Sequence, residues 1–232
     1  MSNNLSSIAA GVEEGRFTYA NIRKMISLLV SSGAAEVALV MSALIFTLPL
    51  PFTAVQLLWL NLVTNGLQDK ALAFEKGNQA LMKAKPRKPD EGVFNPLMIQ
   101  QILVAAGVMW AACLGLWIWL VRFQGLPADQ AQNHVVLLMV FFQNFHALNC
   151  RSESRSFFSI PIQNNTFLIG ALVLTQLIHI GAMYTPLMQR LLGLAPLSAA
   201  QWVAYLLLGS SILWVMEGFK YLRKKREALH PI

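Results

Sequence analysis

Six long apolar segments constrain the fold of this chain more than any other feature. They lie at 25–48, 53–74, 97–123, 135–149, 166–183 and 201–219. A helix needs about 20 mostly apolar residues to cross a bilayer, and most of the segments approach or exceed that length. The fourth is shorter, and its end carries Gln143, Asn144, His146 and Asn149. We therefore expect an all-α membrane protein, folded as a bundle of six transmembrane helices.

The composition excludes the other classes of protein. Of the 232 residues, 56% are hydrophobic and only 12% are charged, whereas about 25% are charged in ordinary soluble domains. Two cysteines, Cys113 and Cys150, are too few for a disulfide scaffold or a cysteine-rich metal site.

The basic residues predict the orientation in the membrane. Of the 18 lysines and arginines, 16 fall in 1–24, 70–96, 150–165 and 218–232, and only Arg122 and Arg190 lie on the other side. The positive-inside rule places both termini in the cytoplasm, and we expect a multi-pass protein of the plasma (inner) membrane. Membrane lipids then account for the net charge of +7, and we expect no nucleic-acid partner.

The same pattern divides the chain into three parts. We expect a cytoplasmic stalk segment at 1–24, the membrane domain at 25–222 and a basic cytoplasmic tail at 223–232. The basic run from Lys220 to Arg226 is typical of an anchor at anionic lipid headgroups.

Glu36 is the most informative residue of the first apolar segment. Ser32 lies four residues before it and therefore on the same helix face. A carboxylate at this depth must be protonated, paired or bound to a cation. We expect a cation or proton site, and the alternative is a neutral glutamic acid in a hydrogen bond between helices.

The second segment carries a polar stripe. Asn61, Thr64 and Asn65 share one helix face, and Gly66 can loosen the helix there and free carbonyl oxygens. Amide, hydroxyl and carbonyl oxygens suit hard cations, whereas the alternative is hydrogen bonding that only joins helices. Asp69 is expected either to pair with Lys70 at the membrane boundary or to line an access path.

The segment at 56–66, QLLWLNLVTNG, closely resembles the sixth membrane helix of P-type cation-transporting ATPases, whose pattern is QLLWxNLVTDG. Residues 9–25 resemble the stretch that enters the fifth membrane helix, and 31–36 resemble its polar break. Residues 85–89 resemble the basic, proline-rich loop after the sixth helix, and 147–153 resemble the end of the eighth. The resemblance covers about 5–225 and is strongest to the calcium-pump-like branch of bacterial type.

This resemblance implies a set of ion ligands. It assigns cation binding to Glu36, Asn61, Thr64, Asn65 and Gln143, with Glu36, Asn61 and Thr64 as metal ligands. Ser32 and Asp69 would support these ligands or line the access path. Calcium pumps have Asn, Asp and Glu where this chain has Gly33, Asn65 and Gln143. Two carboxylates are thus replaced by amides, and two Ca²⁺ would need more negative charge than Glu36 alone supplies.

Three motifs of the pumps that this chain resembles do not occur in these 232 residues. These are the DKTGT phosphorylation motif, the TGES loop and the PEGLP helix. We expect the ion-site-bearing C-terminal membrane domain of an ATP-driven cation transporter, made as a fragment, a split-gene half or a truncated product. It would not hydrolyse ATP alone, and the complete pump would need its N-terminal half, ATP and Mg²⁺. This chain itself would hold no cofactor, and the transported cation remains to be identified.

Two alternatives belong to other functional classes. The chain could be a free-standing membrane scaffold or regulatory protein derived from a pump. A secondary transporter is disfavoured because the two halves show no internal repeat.

Overall fold

The computed structural model describes residues 5–77, 80–83 and 92–229. Every regular element in these ranges is helical, which confirms the all-α prediction. The α-helices are α1 (Leu5–Ile45), α2 (Ala54–Trp59), α3 (Gly66–Ala73), α4 (Ala80–Lys83), α5 (Pro96–Ile118), α6 (Ala128–Asn149), α7 (Thr166–Tyr184), α8 (Pro186–Leu192) and α9 (Ala199–Leu229). Short 3₁₀ turns at Phe157–Ser159 and Ile162–Asn165 precede α7.

Capping side chains set where several helices begin. The Thr53 hydroxyl accepts from the Gln56 N–H (3.2 Å), and the Gln56 side chain accepts from the Thr53 N–H (2.9 Å), which starts α2. Asn95 accepts from the Met98 N–H at 2.7 Å and starts α5, with Pro96 in the first turn. Each contact satisfies backbone donors that have no partner inside a helix.

α1 is one uninterrupted helix of 41 residues. The polar break expected at 31–36 is therefore absent, and that expectation is wrong for the backbone. Ser31 and Ser32 donate to the carbonyls of Ser27 (2.6 Å) and Leu28 (2.7 Å), four residues back. The hydroxyls are thereby satisfied within the helix, and they need no opening of its backbone.

Helical distortions lie instead on the second apolar segment and after α5, where a π-helical stretch covers Trp119–Phe123. A π-helical stretch at Leu60–Asn65 separates α2 from α3 and ends directly before Gly66. Such stretches widen the helix and change which carbonyls are paired, and they occur often at functional sites. The helix is thus loosened as predicted, but in the turn that precedes Gly66 and not at Gly66 itself.

α6 is the most enclosed helix of the described chain. It begins at Ala128, seven residues before the segment predicted at 135–149, and all residues from Asn133 to Gln143 are buried. The prediction started too late because polar residues such as Asn133 and His134 lower the apparent hydropathy. Both are buried: Asn133 donates to the carbonyl of Ala195 in the loop before α9 (2.9 Å), and His134 contacts the hydroxyl of Tyr205 on α9 (2.8 Å).

Contacts between helix ends define two ends of the bundle. At one end, which we call the turn end, Trp117 donates to the Pro49 carbonyl and Gln56 donates to the Leu192 carbonyl. At the other, which we call the basic end, Arg23 of α1 pairs with Glu153 at 2.9 Å. The helical segments α1, α2–α3, α5, α6, α7 and α9 therefore alternate in direction between the two ends.

A buried ion pair anchors the basic end. Arg151 and Glu75 lie 2.9 Å apart, with side chains 1% and 4% exposed. Asn165 donates to the same Glu75 carboxylate at 3.0 Å, and Asn21 donates to the Glu75 carbonyl at 2.8 Å. Buried charges are stable only when paired and hydrogen-bonded in this way. The cluster fixes the end of α3 against α1 and the loop before α7.

Four helices in the described ranges are long and apolar enough to cross a membrane: Ser6–Ile45, Pro96–Phe123, Ile162–Tyr184 and Ala199–Leu229. The helix from Ala54 to Ala73 and α6 are not among the four, because both carry several polar residues that lower their mean hydropathy. The basic, proline-rich loop expected at 85–89 lies outside the described residues.

Candidate cation site

The Glu36 carboxylate lies at the centre of a polar cluster inside the bundle. Only 4% of Glu36 is exposed. The amide nitrogen of Asn61 donates to one carboxylate oxygen at 2.7 Å, and that of Gln143 donates to the other at 3.3 Å. The cluster thus joins α1, the π-helical stretch and α6.

Thr64 completes this cluster. Its hydroxyl contacts both the Leu60 carbonyl and the side-chain oxygen of Gln143. Because a hydroxyl has one proton, Thr64 can donate to only one of these oxygens at a time. Thr64 and Gln143 are both fully buried. We call Glu36, Asn61, Thr64 and Gln143 the Glu36 cluster.

Asn65 and Ser32 form a separate contact beside the Glu36 cluster. The Asn65 amide nitrogen donates to the Ser32 hydroxyl oxygen at 3.0 Å, and both residues are fully buried. In the part of the chain that the structure describes, the Asn65 side-chain oxygen has no hydrogen-bond partner. All five predicted ligands therefore lie on α1, α6 and the π-helical stretch, and four of them are in direct contact.

The amides of Asn61 and Gln143 can face the Glu36 carboxylate in either of two orientations. Two amide nitrogens compensate the Glu36 carboxylate, and none of the ion pairs in the described ranges includes Glu36. Rotation of an amide by about 180° exchanges its N–H₂ donors for its carbonyl oxygen. Asn61 and Gln143 can therefore stabilise a bare carboxylate in one orientation and coordinate a hard cation in the other.

Asp69 lies outside the Glu36 cluster. It is buried, and one of its carboxylate oxygens has no partner. Lys70 is exposed, and no ion pair within the described residues joins it to Asp69. The expected pairing of these neighbours is therefore absent.

Sequence reasoning missed a chain of amides near the site. Gln68 donates to the Asn144 side-chain oxygen at 2.7 Å, and Asn144 donates to Gln176 at 3.0 Å. Gln68 could have been found because it continues the polar stripe of Asn61 and Asn65. Gln176 gave no such signal, since it is the single amide of α7.

One side of the site is open to the surroundings of the bundle. Asn61 is exposed, although its amide nitrogen reaches the buried Glu36 carboxylate. Its neighbours on this face are apolar and exposed, namely Val37 (64%), Leu58 (61%) and Leu62 (68%). In the described part of the chain, no group of three or more His, Cys, Asp or Glu residues could hold a metal. A cation here would therefore depend on the single carboxylate of Glu36 together with amide and hydroxyl oxygens.

Comparison with known proteins gives concordant matches. A family model described as "Cation transporting ATPase, C-terminus" matches residues 49–222. A calcium-transporting ATPase of endoplasmic reticulum type from Arabidopsis thaliana is 32% identical over 249 residues, which cover 96% of this chain and 25% of the relative. A calcium-transporting ATPase from Bacillus subtilis is 30% identical over 225 residues, which cover 97% of this chain and 25% of the relative. The chain thus spans about a quarter of the length of these curated relatives.

Proposed function

Because this chain belongs to the family of C-terminal membrane domains of P-type cation-transporting ATPases, we propose that its Glu36 cluster is the cation site of an ATP-driven pump. One observation carries the proposal. A carboxylate buried among apolar helices has only neutral amide partners, in an arrangement that can also present oxygens to a cation. A charged group inside a membrane domain usually marks a transport path.

The single negative charge of the site favours a bound cation of low total charge. Glu36 is the one carboxylate of the Glu36 cluster, and Asn65 and Gln143 are amides where calcium pumps carry carboxylates. A site with a single negative charge suits a monovalent ion, a proton or one divalent ion better than a pair of divalent ions. The calcium named for the relatives is thus not transferred to this chain.

The exposed face beside Asn61 supports the proposal that another part of a pump packs against it. An exposed amide facing lipid is unfavourable, because the bilayer core offers it no hydrogen bonds. We infer that helices from the N-terminal part of the pump cover this face and supply further ligands. That part would also carry the phosphorylation and nucleotide domains, and so would bind ATP and Mg²⁺.

The alternation of helix directions supports six membrane crossings. α1, α2–α3, α5, α6, α7 and α9 each run between the turn end and the basic end. Sixteen of the 18 lysines and arginines fall in the segments assigned to the cytoplasm. We therefore propose a six-helix domain of the plasma (inner) membrane with both termini in the cytoplasm.

The test is cation-stimulated ATPase activity of this chain assembled by co-expression with the N-terminal part of the pump. We expect Glu36→Gln to raise the cation concentration for half-maximal stimulation by at least about tenfold, equivalent to about 1.4 kcal/mol. The fold should survive, because a neutral amide costs less than a charge in the bilayer.

The matched control is Glu227→Gln, the same substitution at an exposed residue of α9. It should leave the cation dependence unchanged. An unaltered cation affinity in Glu36→Gln would assign Glu36 to helix packing alone.

A further inference from the structure

Three buried oxygens that have no hydrogen-bond partner within the described residues lie along one face of the second apolar segment. They are the side-chain oxygens of Asn65 and Gln68 and one carboxylate oxygen of Asp69. Asn65 and Gln68 are fully buried and Asp69 is 7% exposed. The spacing of three and four residues places all three on the same helix face.

The orientation of both amides is set by their neighbours. The Asn65 nitrogen donates to Ser32, and the Gln68 nitrogen donates to Asn144. Asn144 can accept from Gln68 because its own nitrogen donates to Gln176. Each amide nitrogen is therefore engaged, and each oxygen is left free on the opposite side of its amide.

All three free atoms are acceptors, which restricts what could satisfy them. A buried acceptor without a partner costs roughly 1–3 kcal/mol, and a ligand that contacts all three oxygens would remove that cost. A hard cation is the ligand that carboxylate and amide oxygens prefer. One carboxylate and two neutral oxygens match the charge of a monovalent ion.

This position is distinct from the Glu36 cluster and lies nearer the basic end. Asp69 and Gln68 follow Asn65 by about one helical turn in the direction of Glu75 and its partner Arg151.

We propose that Asn65, Gln68 and Asp69 form a second binding position for a monovalent hard cation, one helical turn nearer the basic end than the Glu36 cluster. The inference rests on the proposed function, since it makes this position a stage on the route to Glu36. Asn65 is then the residue between the two positions, because it directly follows Thr64 in the chain.

The test is equilibrium binding of ²²Na⁺, and of ⁸⁶Rb⁺ in place of K⁺, to the purified 232-residue chain in lipid nanodiscs. We expect Asp69→Asn to abolish the binding of one ion per chain or to weaken it by at least about tenfold. The matched control is Asp129→Asn, the same substitution at an exposed residue in the first turn of α6. It should bind like the wild type, and thermal unfolding should show that both variants are folded.

A second variant covers the case in which Asp69→Asn does not fold. Gln68→Glu adds a carboxylate at the same position and should raise the affinity for ⁴⁵Ca²⁺ by about tenfold or more. A gain of this kind does not arise from misfolding.

The results distinguish a failure of this inference from a failure of the proposed function. Loss of an ion in Asp69→Asn, with unchanged binding in Glu36→Gln, would support the second position and contradict the Glu36 site. Equal binding by wild type and Asp69→Asn would overturn the second position, as would a wild type that binds neither ion. A Gln68→Glu variant without increased ⁴⁵Ca²⁺ affinity would also count against it.

Discussion

Asn65 shows how one atom changes the character of a site. Where the related pattern has a carboxylate, this chain has an amide whose nitrogen is held by Ser32 at 3.0 Å and whose oxygen is free. Replacing that nitrogen by oxygen would add a negative charge and remove the donor. Ser32 would then have to turn its proton from the Leu28 carbonyl toward the new carboxylate.

We therefore expect Asn65→Asp to raise the affinity of the assembled pump for divalent ions. The added charge favours Ca²⁺ and Mn²⁺ over monovalent ions, and the measurement is stimulation of ATPase activity by each ion. Folding should be preserved only if the site is hydrated, because a buried unpaired aspartate costs several kcal/mol or takes up a proton.

Asn164→Asp is the matched control, since Asn164 lies in the 3₁₀ turn before α7 at the basic end. It should not alter ion preference. If the wild type already binds two Ca²⁺ tightly, the charge argument is wrong and the N-terminal part supplies the missing ligands.

At the scale of elements, the contact between α6 and α9 depends on one glycine. A Cβ atom added at Gly209 would lie 2.7 Å from the Cβ of Phe141 and 3.4 Å from its backbone carbon. Such distances are shorter than van der Waals contact, and α6 is buried along this stretch. The absence of a side chain at Gly209 therefore sets how closely the two helices approach.

Gly209→Ala should destabilise the domain by about 1–3 kcal/mol, the usual cost of overpacking a filled core. The measurement is the midpoint of thermal unfolding in detergent, which should fall. Gly218→Ala is the control on the same helix, because a Cβ there meets nothing within 4 Å. It should leave the midpoint unchanged or raise it slightly. Equal midpoints in the two variants would show that α9 shifts to accommodate the methyl group.

At the scale of the whole molecule, the two bundle ends differ in chemistry. The basic end is closed by ion pairs, including Arg151 with Glu75 and Arg23 with Glu153. The turn end is closed by neutral contacts such as those of Trp117 with Pro49 and Asn133 with Ala195. This asymmetry agrees with a cytoplasmic location of the basic end.

Cysteine labelling tests that orientation. Asp129→Cys and Glu227→Cys place exposed thiols at the turn end and on the C-terminal part of α9. We expect an impermeant maleimide to label Glu227→Cys only from the cytoplasmic side and Asp129→Cys only from the outer side. Background labelling should be low, because Cys113 and Cys150 are buried. Cytoplasmic labelling of Asp129→Cys would overturn the proposed topology.

The class of protein and its helical content are readable from the amino-acid sequence, and so are the residues that we propose as the centre of the candidate site. Hydropathy along a chain reports how long each apolar segment is, and an ionisable residue within such a segment stands out against its neighbours. Glu36 and the stripe of Asn61, Thr64 and Asn65 were therefore identifiable without coordinates. The start of α6 was misplaced for the same reason, since hydropathy cannot distinguish a buried polar residue from an exposed one.

The contacts between polar groups of different helices depend on the tertiary packing. Glu36 and Gln143 lie 107 positions apart, and their contact depends on how α1 and α6 are rotated and shifted against each other. The π-helical stretch at Leu60–Asn65 and the chain from Gln68 to Gln176 depend on the same packing. Each helix satisfies its own backbone, so the local sequence fixes the helices. Their relative positions follow from how buried side chains fit together between them.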